Sequence, residues 1–186
     1  MSIKHTIVAL VENKPGVLNR IASKWRQRGF NIESLAVGHS ETPGLSRMTF
    51  VVDAAQYDIE QVVKQCDKLI DIVHIEDITG REVVQRELLL VKVRAGAMER
   101  GQLLQIADIF RANILDVTSE SLILEATGDQ EKLDSLLQLL EEFTILELCR
   151  TGSLAMLRGP ERVGPEEEPH LVLPDLEGGR APGGIF

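Results

Sequence analysis

Aromatic residues are scarce in this chain. One Trp, one Tyr and five Phe make up 4% of 186 residues. A sheet that stacks nucleobases needs aromatics on its central strands. The strand patterns described below offer only Phe50 there. Cysteine is scarcer still. Cys66 and Cys149 stand alone, and neither has a partner at Cys-x-x-Cys spacing. That argues against a disulfide framework and a thiolate metal site; both thiols are expected to be free and buried. The four histidines, His5, His39, His74 and His170, lack metal-ligand spacing. There is no Walker loop, no nucleophile elbow and no dinucleotide fingerprint. No apolar run is long enough to cross a bilayer. An excess of positive charge is also missing. The net charge is −9, which argues against nucleic acid as a partner. Met1 to His5 leads straight into a strand pattern without signal-peptide features, so the cytoplasm is the expected location. Without a catalytic or metal constellation, binding is expected rather than reaction, and no cofactor is expected in this chain.

The apolar residues follow clear periods. Residues 4–11 read as a buried strand, apolar on both faces. From Pro15 the set Val17, Leu18, Ile21, Ala22 and Trp25 marks one face of a helix, stopped at Gly29. Asn31 to Gly38 and Arg47 to Val52 read as a hairpin across a turn holding Pro43-Gly44, with Met48, Phe50 and Val52 on one face. Ile59, Val62, Val63, Cys66 and Leu69 give a second helix, and 71–78 a fourth strand. This βαββαβ order is the ferredoxin-like arrangement, with both helices on one face of an antiparallel sheet. The other face also carries apolar residues. It therefore needs a second copy of the chain or a neighbouring domain to cover it.

The order then repeats. A strand at 87–94, a helix marked by Leu103, Ala107 and Phe110, strands at 113–118 and 121–127, a stripe of Leu133, Leu136, Leu137 and Leu140, and a strand at 143–149 form a second unit. The expected fold class is α+β with two ferredoxin-like domains, at 1–80 and 81–158. Residues 159–186 contain five prolines, Glu166 to Glu168 and two Gly-Gly pairs. They are expected to form a disordered acidic tail.

The two units differ at one place. Asn13-Lys14-Pro15-Gly16-Val17-Leu18 joins the first strand to the first helix, and nothing like it opens the corresponding helix of the second unit. The first N–H groups of a helix lack intrahelical partners and lie at the positive end of its dipole, so such a turn can hold a carboxylate. Proline suits the first helical position, and Asn13 is a candidate cap. Arg20, Lys24 and Arg28 lie four apart and read as a solvated basic stripe.

The run from Val11 to Leu18 resembles the ligand turn of ACT domains, small βαββαβ modules that bind amino acids. Four further runs extend the likeness: Arg28-Gly29-Phe30-Asn31-Ile32-Glu33-Ser34-Leu35, Leu45-Ser46-Arg47-Met48-Thr49, Glu87 to Val93, and Ile114 to Thr118. Together they resemble the small, regulatory subunit of acetohydroxyacid (acetolactate) synthase over residues 3–159. The resemblance implies a subunit without a catalytic site. It implies a large partner subunit holding thiamine diphosphate and magnesium, activated by this chain and inhibited through it by valine, with leucine or isoleucine as further candidate effectors. It also implies a homodimer formed through the ACT domains, with effector sites at the interface. The site residues it points to are Asn13, Gly16, Val17, Leu18, Asn31, Ile32 and Val37. Backbone N–H groups of Gly16, Val17 and Leu18 would hold the carboxylate, Asn13 and Asn31 the ammonium, and Ile32 and Val37 the isopropyl group. The alternative is a stand-alone ACT-type sensor acting on another enzyme or on transcription.

Overall fold

The first strand, β1 (Ile3–Glu12), is apolar on both faces and becomes the inner strand of its sheet. Residues Ile7 to Val11 are buried without interruption, as a strand covered on both sides requires. The structure, a computed structural model, describes residues 3–54 and 56–164. Helix α1 (Val17–Gln27) buries Val17, Ile21 and Trp25, one face at helical spacing. It ends at Arg28; Gly29, at φ 74°, turns the chain, and Phe30 N–H donates back to the Trp25 carbonyl at 3.2 Å. Strands β2 (Ile32–His39) and β3 (Leu45–Ala54), helix α2 (Gln56–Cys66) and strand β4 (Ile72–Asp77) complete the unit. The sheet order is β2-β3-β1-β4, all neighbours antiparallel, so β2 is an edge strand. Met48, Phe50 and Val52 do share the face under the helices, where they pack with Trp25, Ile59 and Cys66.

The second unit repeats the plan with β5 (Val83–Arg94), α3 (Arg100–Phe110), β6 (Asn113–Val117), β7 (Ser121–Gly128), α4 (Gln130–Leu140) and β8 (Ile145–Arg150). Its sheet order is β6-β7-β5-β8. Leu103, Ala107, Leu133, Leu136 and Leu140 cover Leu89, Val91, Leu122 and Leu124. The α+β class and the two ferredoxin-like units are therefore as expected.

Two elements depart from the sequence expectation. β5 begins at Val83 instead of Glu87, and its first four residues pair with a short strand, β9 (Leu154–Leu157). This two-stranded ribbon lies against the first sheet on the side away from its helices. Val8 and Ile78 pack there with Ala155 and Val163, flanked by Val83 and Leu157. Arg47 Nη2 donates to the Ala155 carbonyl at 3.0 Å, and Ser153 N–H donates to Ser34 Oγ at 2.8 Å. Gly152, at φ 80°, comes so close that a Cβ there would lie 2.9 Å from the Leu35 carbonyl oxygen. The second face of the first sheet is thus covered by the chain's own ribbon, the neighbouring-domain arrangement and not the second copy. Residues 159–164, placed in the tail by composition, are described, and Val163 is 3% exposed. The rest of that tail, 165–186, lies outside the described residues.

Cys66 is buried as expected, but Cys149 is exposed. Cys149 faces away from the helices of the second sheet, paired with Leu90 across the ladder. No helix among the described residues is long and apolar enough to cross a membrane.

Candidate functional site

β1 ends at Glu12, and the chain turns tightly. Asn13 N–H donates to the Gly44 carbonyl at 2.8 Å, and Lys14 N–H to the Glu12 carbonyl at 2.9 Å. Lys14 Nζ also pairs with Glu12 at 2.6 Å, and this contact raises the Lys14 pKa. Gly16 then takes φ 86° and ψ −8°, the left-handed region, as the residue immediately before α1. An L side chain adopts that conformation at a cost of roughly 1 kcal/mol, so glycine is the natural occupant. The helix begins at Val17, two residues after Pro15. Pro15 is therefore part of the turn and not the first helical residue. Asn13 is not the cap either: Gly16 holds that place, and no side chain bonds the helix start. The Asn13 amide is exposed and unspent on the helix.

The N-terminus of α1 holds no side-chain anion. Its first turn has no acidic residue and no side-chain cap. At α4, by contrast, Asp129 accepts from Lys132 N–H at 2.9 Å. In the loop before α3, the Glu99 carboxylate accepts from Gly96 N–H at 2.9 Å. The α3 start, like that of α1, has no side-chain cap and no acidic residue in its first turn, so of these two only α4 is capped by a carboxylate of the chain itself. At α1 the positive end of the dipole is left for another anion.

The expected site residues fall into two groups. Asn13, Gly16, Val17 and Leu18 form the turn. Val17 is 2% exposed, its side chain in the core, so only its backbone can meet a ligand. Leu18 and Val37 are 38% and 50% exposed. Val37 pairs with Met48, opposite Ala9, on the half of the sheet nearer the turn. Asn31 and Ile32 lie at the other end. Ile32 pairs with Val52, which pairs with His5, whereas the turn follows Glu12. The path from His5 to Glu12 spans roughly 23 Å at the rise of a strand. One chain therefore does not bring Asn31 to Asn13. β2, which carries Ile32 and Val37, has an open edge.

Sequence patterning missed a pair beside the turn. Arg20, assigned to a solvated stripe, reaches Asp71 with Nη2 to Oδ2 at 2.7 Å. Asp71 is 8% exposed, and its carbonyl accepts from Glu12 N–H at 2.9 Å. The available signal was the spacing: Arg20 lies four residues after Gly16, and helical side chains lean toward the N-terminus. His5 is fully buried, with Nδ1 2.9 Å from Asp77 Oδ2, a structural contact far from the turn.

A βαββαβ sheet with an open edge strand and a bare glycine turn at its first helix defines an ACT-type regulatory module. Residues 7–74 match the acetohydroxyacid synthase small subunit-like ACT domain, and residues 86–159 match the family described as the small subunit of acetolactate synthase. The probable acetolactate synthase small subunit of Archaeoglobus fulgidus is 49% identical over 160 residues, 86% of this chain and 100% of the relative. The acetolactate synthase small subunit of Mycobacterium bovis is 48% identical over 160 residues, 86% of this chain and 95% of the relative. The crystal structure of the Thermotoga maritima acetolactate synthase small subunit superposes with a TM-score of 0.79 at 40% identity, covering 84% of this chain and 98% of that one. The chain belongs to the acetolactate synthase small-subunit family, whose role in the enzyme is regulatory. A small subunit implies a large, catalytic one as partner.

Proposed function

We propose that this chain activates the catalytic subunit of acetolactate synthase and carries its feedback inhibition by valine. In this reading the protein works in the cytoplasm, and thiamine diphosphate and magnesium belong to the catalytic subunit. The effector site is the turn at Asn13 to Leu18 of one chain, facing Asn31 and Ile32 of a second. The observation that carries it is the start of α1, where a left-handed glycine precedes a helix with no side-chain cap and no acidic residue in its first turn, on a unit whose β2 lies at the sheet edge. Antiparallel pairing of β2 with its own copy sets the late end of one strand against the early end of the other. That brings Asn31 of the second copy toward the turn of the first, closing the roughly 23 Å gap that one chain leaves. Valine's carboxylate then meets the N–H groups of Gly16, Val17 and Leu18. Its ammonium meets Asn13 and Asn31, and its isopropyl group meets Ile32 and Val37.

Inhibition requires that valine bind one arrangement of the holoenzyme better than another. A coupling of about 1–3 kcal/mol gives partial inhibition. The test is calorimetry of the full chain and of its Gly16→Asp variant with valine, leucine and isoleucine in turn. Wild type should bind valine, and Gly16→Asp should lose it, because the new carboxylate occupies the anion position. Valine affinity unchanged in a folded Gly16→Asp protein would sink the assignment. The stand-alone sensor is not favoured, since the second unit also matches the synthase small subunit.

A further inference from the structure

We infer that Arg20 is the charged arm of the effector site and that Asp71 holds it in place. This rests on the reading of the turn as a carboxylate site. The guanidinium is where such an arm is needed. A Cβ built on Gly16 would lie 3.4 Å from Arg20 Nη1, so the cation stands over the turn at its left-handed glycine. Arg20 N–H donates to the Gly16 carbonyl at 3.0 Å, fixing the backbone of the arm to the same residue. Nη2 is committed to Asp71 Oδ2 at 2.7 Å, which leaves Nη1 directed at the turn. Asp71 is itself anchored, since its carbonyl takes the Glu12 N–H at the end of β1. The ring Glu12–turn–α1–Arg20–Asp71 therefore sets the guanidinium before any ligand arrives. A pre-set cation loses little freedom on binding, which is the general advantage of a preorganised site.

Backbone N–H groups and the helix dipole give partial charge alone. A guanidinium adds a full charge and a charge-assisted hydrogen bond to the same carboxylate. It also makes the site select for ligands with a free carboxylate. The same geometry gives the Gly16→Asp lesion a second cause. An aspartate at 16 would start 3.4 Å from Nη1 and pair with Arg20 in place of the ligand.

The experiment measures valine affinity by calorimetry for the full-length wild type, Arg20→Gln and Arg20→Lys, with dimerisation and melting temperature followed alongside. Arg20→Gln should weaken valine about tenfold, the loss of one charge-assisted contact. Arg20→Lys keeps the charge but loses the fork that holds Asp71 with one nitrogen and reaches the turn with the other, so its affinity should fall between those of Arg20→Gln and wild type. Wild-type affinity in Arg20→Gln overturns the role of Arg20 and leaves the turn standing. Arg20→Lys as weak as Arg20→Gln also overturns it, since shape and not charge would then matter. No valine binding by the wild type overturns the effector site and the arm together.

Discussion

Trp25 shows how one side chain sets the first unit. It is fully buried beneath α1, its ring stacked on Phe50 with centroids 5.8 Å apart and planes 25° apart. Phe30 closes the cluster at 6.2 Å, just past the helix stop. Three of the chain's few aromatics are thus spent in one core, leaving none to stack a base on the sheet. The two cysteines divide at the same scale. Burial pushes the Cys66 thiol up to about 11 from an ordinary 9.0, with Lys24 acting weakly the other way. At pH 8 it is protonated and unreactive. Cys149 is exposed on the second sheet. Maleimide at pH 8 should therefore label one site on the native chain, the peptide holding Cys149. Cys66 should react only after unfolding. Mass spectrometry of the digested protein checks this, and rapid native labelling of Cys66 would contradict its burial. Sequence pattern alone put both thiols inside. Cys149 shows the limit, because an alternating apolar strand does not say which of its faces another layer covers.

At the scale of elements, the repeated helices and central strands were legible because period and chemistry agree. Ile59, Val62 and Cys66 fall at helical spacing and are buried at it, as do Leu133, Leu136 and Leu140. β9 was not legible. It is four residues long, and only Ala155 of its set is buried. Its partner segment, Val83-Val84-Gln85-Arg86, is two apolar residues followed by two polar ones, with no strand alternation to separate it from a linker. Both strands owe their form to the apolar face of β1 that they cover. The run beyond them was misjudged for a related reason. Gly159 and Pro160 signal a break, yet Val163 still finds a place against Val8 and Ile78. A chain ending at Arg158 should therefore be less stable than one ending at Gly164. Burial of one valine stabilises by about 1.5–3 kcal/mol. For a chain of this size that is roughly 3–12 °C in melting temperature. Glu161, which pairs with Arg81 at the surface, adds little, since exposed ion pairs are worth about 0–1 kcal/mol. Scanning calorimetry of the two truncated chains decides it, and equal melting temperatures would remove Val163 from the core.

At the scale of the whole molecule, half of the proposed effector site is local in the sequence and half is not. The turn is local: Asn13, Gly16 and Leu18 are neighbours in the chain, so their chemistry can be read in order. In the proposed site Asn31 would join the turn only through a second copy, and no period or spacing within one chain encodes that. The register between β1, β3 and β2 makes the consequence testable. If turn and Asn31 met within one chain, a site would need both from that chain. If they meet across two chains, a mixture can repair itself. Gly16→Asp homodimers lack a working turn at both sites, and Asn31→Ala homodimers lack the ammonium partner at both. A heterodimer of the two has one site with both lesions and one with neither. After the variants are unfolded, mixed in equal amounts and refolded, half of the dimers are mixed, so about one quarter of all sites should bind valine with wild-type affinity. Calorimetric stoichiometry reads this directly. Each variant refolded alone supplies the baseline, which should show no tight sites. A mixture with no more tight sites than its components would place the site within a single chain and remove β2 pairing from the mechanism.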